Sequence, residues 1–217
     1  MAKRQYNQLC PLAYALDIIG ERWTLLIVRE LIFGPRRYTD LLNGLRGVGT
    51  NLLANRLKAL EDANVIRQRQ LPPPAASSVY ELSEHGKGLI PIVQAMALWG
   101  MAYIPMPPPD EHYIGTVTTM NALTMLFNEQ KASTISASCE FHGEDEIFHV
   151  QVQEGNLNVI PGIANNPDVV MEVDYRSLVM VINGMMPRQM AQENGALVIK
   201  KGSEETLDNF ISAFGFA

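Results

Sequence analysis

A short segment in the first half of the chain carries the side chains whose types and spacing best fit a chemical role. Leu53, Leu57 and Leu60 recur at i, i+4 and i+7, which predicts a helix over Asn51–Ala63 with one buried face. Such a helix is fixed to its domain on one side. Its other side is available to present polar groups to a partner.

The opposite face of this helix carries Asn51, Asn55 and Lys58. Paired amides match the edge of adenine, and cations match phosphate or guanine. These residues therefore predict contacts in the major groove of double-stranded DNA. Two alternatives stay open: the asparagines are ordinary solvated amides, and Lys58 contacts phosphate only. Arg56 lies about 60° around the helix from Leu53, so it is either a DNA contact or a half-buried ion-pair partner.

Composition indicates a folded, soluble protein. The 217 residues are 47% hydrophobic and 18% charged. The chain has no apolar run of about 18 residues and begins without the apolar stretch of a signal peptide. We therefore expect a cytoplasmic protein with no membrane partner. Its two cysteines, Cys10 and Cys139, are far apart in sequence and form no disulfide framework.

Charge is distributed unevenly along the chain. Residues 1–104 hold 12 Lys and Arg against 8 Asp and Glu, or +4, and residues 105–217 hold 5 against 15, or −10, which together give the net −6. A basic half is suited to phosphates, and the acidic half is expected to have a different task.

The first half is predicted to be helical up to residue 63 and to end in a β-hairpin and a last helix. Gly34–Pro35 stops the second helix, Asn64 suits the left-handed conformation that ends a helix, and Ser83 is a cap for the last helix. The predicted elements are helices at 12–19, 23–33, 38–43, 51–63 and 84–102, and strands at 65–71 and 79–82. This order predicts a winged helix-turn-helix.

Prolines divide the chain at Ile104–Glu111, because they forbid continued helix and form a semi-rigid spacer. Strand-like alternation takes over after about Ser133. We predict a winged helix-turn-helix DNA-binding and dimerisation domain at 1–104, a proline-rich linker at 105–114 and a second domain at 115–217.

The first half resembles the HxlR-type family of bacterial winged-helix transcriptional regulators. The matching segments are Cys10-Pro-Leu, Gly20-Glu-Arg-Trp-Thr-Leu-Leu-Ile, Gly34-Pro-Arg-Arg-Tyr-Thr-Asp-Leu, Leu52-Leu-Ala-Asn-Arg-Leu-Lys-Ala-Leu-Glu, Val79-Tyr-Glu-Leu-Ser-Glu-His-Gly and Trp99-Gly. The resemblance implies a homodimer built from the first and last helices of the domain. Its two recognition helices would enter successive major grooves, about one helical turn apart.

The resemblance also implies which residues contact DNA. On the recognition helix these are Thr50, Asn51, Asn55, Arg56 and Lys58, and before the third helix Arg36 and Arg37 are placed to bind phosphate. The chain departs from the family in two places: Asn51 stands where a lysine is usual, and the wing loop at 72–78 carries no charge. Arg67 and Arg69 on the incoming strand are predicted to supply the missing phosphate contacts, with a shallower salt dependence than in a typical relative.

The second half is predicted to be an α+β layer in which helices cover one face of a sheet. Apolar residues alternate over 135–141, 148–152 and 169–173, which is typical of half-buried strands. Helices are predicted at 175–183, 187–194 and 203–212, the first capped by Asp174, and a strand at 196–200. The predicted fold class of the whole chain is therefore α+β.

The order of these elements resembles the sterol carrier protein type-two-like domain. The matching segments are Glu154-Gly-Asn-Leu, Asp168-Val-Val-Met-Glu-Val-Asp, 178–184, Ala191-Gln-Glu-Asn-Gly-Ala-Leu-Val-Ile-Lys, Gly202 and 207–210. The resemblance implies a cavity between sheet and helices that accepts apolar molecules such as lipids or acyl chains. The predicted ligand-binding residues are Phe141, Phe148, Val150, Met171, Leu178, Val181, Ile182, Met185, Met186 and Met190. The alternative is that the methionines simply pack the core.

The sequence carries none of the common catalytic or metal-binding motifs. The chain has no G-x-S-x-G, H-E-x-x-H, P-loop or G-x-G-x-x-G segment, so we expect no enzyme, no cofactor and no metal. Cys10 has reactive potential, because it precedes Pro11 at a predicted helix start, where a thiol pKa is lowered. It lies where redox-sensing members of the HxlR-type family carry their sensing cysteine. A small buried filler is the alternative.

The sequence therefore predicts a homodimeric bacterial transcriptional regulator that binds operator DNA and responds to an apolar ligand in its second half. Two alternatives remain. One is a lipid or acyl-chain carrier with a non-functional helix-turn-helix, and the other is a redox-sensing regulator that acts through Cys10.

Overall fold

The structure is a computed structural model that describes residues 5–73, 76–144 and 146–215. The chain divides into two units, Met1–Trp99 and Gly100–Ala217. The predicted linker at 105–114 belongs to the second unit. Part of the predicted wing loop, residues 74 and 75, lies outside the described residues. Within the described ranges, no helix has the length and apolarity to cross a membrane.

The first unit has the element order of a winged helix-turn-helix. Its helices and strands are α1 (Pro11–Ile19), α2 (Thr24–Glu30), β1 (Arg36–Arg37), α3 (Tyr38–Gly44), α4 (Thr50–Asp62), β2 (Ile66–Gln70), β3 (Ser78–Leu82), α5 (Glu84–Lys87) and α6 (Ile90–Met101). The strands form an antiparallel sheet in the order β1-β3-β2. The winged helix-turn-helix prediction is confirmed.

The leucine face of α4 is buried, as the spacing predicts. Leu53, Leu57 and Leu60 are at most 2% exposed and belong to the apolar core that α2, α3 and the strands complete. Full burial of one such side chain contributes roughly 1.5–3 kcal/mol to the stability of the fold. The core therefore fixes which face of α4 points outward.

The predicted helix ends of the first unit are largely confirmed. Asn64 has φ +55°, and the Ser83 hydroxyl accepts a 2.9 Å hydrogen bond from the Gly86 N–H. The single helix predicted over 84–102 is wrong, because the chain forms α5 and then α6. Pro91 has no N–H to bond back into the preceding turn, so a new helix starts with Pro91 in its first turn.

The second unit combines a five-stranded sheet with five helices within its described residues. Its elements are α7 (Thr116–Leu126), α8 (Glu129–Ala132), β4 (Ser136–His142), β5 (Ile147–Gln153), β6 (Asn156–Pro161), β7 (Val169–Val173), α9 (Tyr175–Ile182), α10 (Arg188–Glu193), β8 (Leu197–Lys201) and α11 (Glu204–Ile211). The strand order is β6-β5-β4-β7-β8, in which β4 and β7 are parallel and the other neighbours antiparallel. The α+β prediction is confirmed.

One face of this sheet is apolar and the other is largely polar. On the apolar face Cys139 is opposite Val150 on one side and Val169 on the other, and α11 and α7 pack against β4 and β6. Phe141 stacks on Phe148 at 4.9 Å between ring centroids. Aromatic rings thus fill the space between sheet and helices.

Candidate nucleic-acid interface

The outer face of α4 carries the predicted base-contacting residues at the surface. Thr50, Asn51, Asn55 and Lys58 are all exposed. Lys58 lies 3.4 Å from Asp62 in an i, i+4 pair on the surface, which is worth only a few tenths of a kcal/mol and leaves the ammonium able to change partner. These four side chains are available to a duplex.

The start of α4 is held in place by α3. The Tyr38 hydroxyl donates a 2.9 Å hydrogen bond to the Thr50 carbonyl oxygen. Gly47, in the turn before α4, has φ +94°, a conformation that favours glycine. The turn between the two helices therefore has a fixed geometry, as docking of a helix in a groove requires.

Arg56 is an ion-pair partner within the domain. Its Nη2 lies 2.7 Å from the Glu21 Oε2, and its Nε donates to the Arg22 carbonyl oxygen at 3.2 Å. The Arg56 side chain is 22% exposed. The ion-pair alternative is thus confirmed, and the guanidinium is committed to holding α4 against the segment before α2.

Arg36 and Arg37 have opposite environments, although the sequence treats them as a basic pair. Consecutive residues of a strand point to opposite faces. Arg36 pairs with Tyr80 on the inner face of the sheet and is 8% exposed, whereas Arg37 is exposed. The phosphate contact predicted for Arg36 is wrong for this conformation, because its guanidinium is inside the domain.

The outer face of the β1-β3-β2 sheet gathers three arginines that are far apart in sequence. Arg37 is directly opposite Val79, and Val79 is directly opposite Arg69; Arg67 is on the same face, opposite Glu81. We call Arg37, Arg67 and Arg69 the arginine face. Its members are exposed while Val79 between them is buried, so the arginine stems cover an apolar centre.

Glu81 is the acid of the arginine face. Its Oε1 accepts from the Arg67 Nε at 2.7 Å, and its Oε2 accepts from the Arg69 Nε at 3.1 Å. The hydrogen bond from Arg69, with that from Arg67, holds the pKa of Glu81 below its ordinary value against the raising effect of burial. Glu81 is a functional candidate that the sequence pattern did not single out.

Comparison with known proteins assigns the first half to a family. The family model of HxlR-like helix-turn-helix proteins matches residues 18–107. The chain is 32% identical over 94 residues to the HTH-type transcriptional regulator YodB of Bacillus subtilis, covering 43% of this chain and 84% of that one. It is 31% identical over 99 residues to the uncharacterized regulator YvaP of the same organism, covering 45% and 92%.

The chain belongs to the HxlR-like helix-turn-helix family of transcriptional regulators. Among solved structures, the reduced form of YodB is 30% identical, covers 44% of this chain and 95% of that one, and gives a TM-score of 0.39. The family match ends at residue 107, so the second half is an addition to the HxlR-like domain.

The two terminal helices of the HxlR-like domain expose large apolar side chains. On α1 and just before it these are Leu9, Leu12 and Tyr14, and on α6 they are Ile92, Met96, Leu98 and Trp99. Trp99 is 70% exposed. A shallow groove of about 440 Å³ is lined by Pro91, Ile92, Ala95, Met96 and Trp99. Exposed apolar side chains that line a groove are typical of an interaction site.

Cys10 occupies the N-cap position of α1, directly before Pro11 in its first turn. Its thiol is free and only partly exposed, and its side chain caps no backbone N–H of the helix. The position fits the predicted reactive cysteine of an HxlR-like domain. A redox role for Cys10 stays a prediction.

Half of the predicted ligand-binding residues are closely packed core. Phe141, Phe148, Val150, Met171 and Leu178 are each at most 2% exposed. Almost none of their surface is accessible even to a water molecule, so they cannot line an open cavity in this conformation. The prediction is wrong for these five residues, because the phenylalanine rings and the Met171 side chain fill the space between the sheet and the helices.

The other predicted ligand-binding residues are accessible. Val181 and Ile182 lie on α9, Met185 and Met186 lie between α9 and α10, and Met190 lies on α10. Met185 and Met190 are exposed, and the other three are half-buried. We call these five residues the methionine surface. It is an apolar area at the edge of the helical layer.

Proposed function

We propose that this protein is a homodimeric transcriptional regulator that binds operator DNA through α4, and that an apolar molecule bound by its second unit modulates this binding. The observation that carries the proposal is the orientation of α4. Its leucine face is buried in the core, so Thr50, Asn51 and Asn55 face outward. A helix held in this way can place amides against base edges in a major groove.

Phosphate contacts come from the arginine face and from Lys58. Arg37 precedes α4 and Arg67 and Arg69 follow it, all three in the sheet that forms the wing, whereas Lys58 is on α4 itself. Phosphate contacts fix the register of the protein without selecting sequence. They are expected to make the affinity fall with salt, by a slope of about 0.9 for each neutralised phosphate.

A second copy of the chain is the proposed partner of the apolar surface on α1 and α6. Exposed tryptophan, methionine and tyrosine side chains are among the types enriched in interfaces. Because a two-fold dimer uses the same surface on both copies, one apolar surface is enough. The dimer would present two α4 helices to one duplex.

The direct test of the regulator function is selection of bound sequences from a pool of random duplexes. The purified full chain should enrich a two-fold symmetric motif whose halves lie about one helical turn apart. Enrichment of no motif, together with equal affinity for all duplexes at physiological salt, would contradict the proposal. That outcome would favour a carrier protein with a non-functional helix-turn-helix.

The methionine surface is the proposed site of an apolar ligand. Methionine side chains adapt to irregular apolar molecules, and the resemblance to sterol carrier domains supports this ligand class. Native mass spectrometry of the full chain, with palmitic acid added as a probe, should detect a one-to-one complex. Met185→Glu should abolish this complex, whereas Ile163→Glu, at an exposed position on the β6–β7 connection, should not.

A further inference from the structure

Glu81 lies beneath the guanidinium groups that it binds. Its side chain is 13% exposed, against 64% for Arg67 and 44% for Arg69. Each carboxylate oxygen accepts from one arginine: Oε1 from the Nε of Arg67, and Oε2 from the Nε of Arg69 at 3.1 Å; the Nη2 of Arg69 lies 3.0 Å from the same Oε2. One acid therefore restrains two long side chains that reach further into solvent than it does.

This arrangement changes the charge that a duplex meets at the wing. Arg37, Arg67 and Arg69 alone would give the outer face of the sheet three positive charges, and Glu81 lowers the sum to two. Binding to DNA of random sequence depends on such cations and on the counterions that they displace. Recognition of an operator depends in addition on base contacts from α4, whereas Glu81 is on β3.

We propose that Glu81 is a positioning residue that limits affinity for random DNA by holding Arg67 and Arg69 and by cancelling one positive charge of the arginine face. The inference rests on the proposed DNA-binding function and names a residue that tunes its selectivity. Its carboxylate weakens every duplex complex through charge. It affects the operator complex least, because there α4 fixes the register and limits which phosphates the released arginines reach.

The test is the substitution Glu81→Gln in the full chain, which keeps the shape of the side chain and removes its charge. Affinity for random duplex and for the selected operator is measured by fluorescence anisotropy between 50 and 200 mM salt. We expect the variant to bind random DNA more tightly than the wild type. Its affinity should also fall more steeply with salt, by the equivalent of about one additional neutralised phosphate, so that its advantage in affinity over the wild type shrinks about threefold over this range. The ratio of operator affinity to random affinity should fall.

Two controls distinguish this role of Glu81 from the effect of removing any negative charge from the protein. Glu172→Gln removes the same charge from a surface carboxylate of the second unit that pairs with Lys200 at 2.9 Å, and it should leave the random affinity near that of the wild type. In an Arg67→Gln/Arg69→Gln background, Glu81→Gln should have far less effect than in the wild type. Should Glu81→Gln fail to fold, Glu81→Thr, which suits a strand, takes its place with the same expected results.

Unchanged or weaker random binding in Glu81→Gln would overturn the inference, as would a full gain that persists without Arg67 and Arg69. Failure of the proposed function has a different signature. In that case the wild-type protein itself would bind no duplex in a salt-dependent manner, and the inference would fall with it.

Discussion

Arg56 and Glu21 form a 2.7 Å ion pair that joins the middle of α4 to the segment before α2. The arginine also donates to the Arg22 carbonyl oxygen, so α4 is held by polar contacts as well as by its buried leucines. In a helix that contacts bases, such a restraint governs how far the exposed amides can move. The basic residue in the centre of the proposed recognition helix is thus a structural group.

Replacing Arg56 should therefore affect stability more than sequence preference. Arg56→Met keeps the apolar stem and removes the ion pair, and because pairs with an exposed partner are weak, we expect a loss of about 0.5–1 kcal/mol in the free energy of unfolding. Urea denaturation measures the loss, and selection from random duplexes measures the preference. A changed consensus sequence would show that Arg56 contacts bases after all.

Replacing the exposed amides should have the opposite result. Asn51→Ala and Asn55→Ala should each weaken operator binding by about 1–3 kcal/mol, with little change in stability because both side chains are exposed. Asn43→Ala, at an exposed position of α3, is the matched control. If neither affinity changes, the two asparagines are ordinary solvated amides; an equal loss for operator and random DNA would assign them to phosphate contacts.

A charge in the groove of α6 should separate the proposed dimer. Met96 lines the groove and is exposed, so Met96→Glu would bury a carboxylate in the interface at a cost of several kcal/mol. Sedimentation velocity should then show a monomer, and operator affinity should drop sharply. Ile163→Glu, in the second unit, is the control and should remain dimeric. A wild-type protein that sediments as a monomer at micromolar concentration would refute the dimer.

Glu140 should make the second unit sensitive to acid. Its side chain is 6% exposed and accepts 2.6 Å hydrogen bonds from the Ala164 N–H and from the His142 Nε2. Burial raises the pKa of Glu140, but these bonds outweigh it and leave the pKa below its ordinary value of 4.5. A lowered carboxylate pKa in the folded state stabilises the fold above about pH 4.5, and the contribution is lost as the pH falls through the folded pKa.

We therefore expect Glu140→Gln to lower the stability of the second unit at pH 7 by about 1–3 kcal/mol and to flatten its loss of stability between pH 5 and pH 3. Thermal unfolding across this pH range measures both effects. Glu172→Gln, which removes an exposed pair with Lys200, should reproduce neither. Parallel pH profiles for Glu140→Gln and the wild type would remove Glu140 as the cause.

Replacing Cys10 should distinguish a ligand-responsive regulator from a redox-responsive one. If its thiol is a sensor, diamide treatment should weaken operator binding of the wild type, and Cys10→Ser should be resistant. Cys139→Ser serves as the control, because burial raises the pKa of the Cys139 thiol well above its ordinary value and keeps it unreactive. An identical diamide response in Cys10→Ser would exclude the redox role.

Local signals in the sequence were sufficient for the elements that matter most to the site. The leucine spacing of α4 identified the helix and its buried face, because a 3.6-residue period depends only on neighbouring residues. Ser83 and Asp174 act as caps and Asn64 adopts a left-handed conformation, as predicted. Each of these features is a contact between groups only a few residues apart.

Elements without a local signal were missed. The helix α7 was not predicted, because residues on all its sides are buried and it shows no amphipathic period; these include Thr116, Val117, Thr119, Met120 and Asn121. Its threonines and valine also have low helix propensity. The two-residue strand β1 was missed for a related reason, since it is defined only by its pairing with β3.

The sequence alone determined the HxlR-like helix-turn-helix, the outward amides of α4 and the division of the chain near its prolines. Tertiary structure decided which charges are available to DNA. Arg36 is buried and Arg37 exposed because β1 pairs with β3 in one register, and the same sheet brings Arg37, Arg67 and Arg69 onto one face above Glu81. The pairing of β1 with β3 joins residues 42 and 44 positions apart, and no periodicity within a single segment encodes that distance.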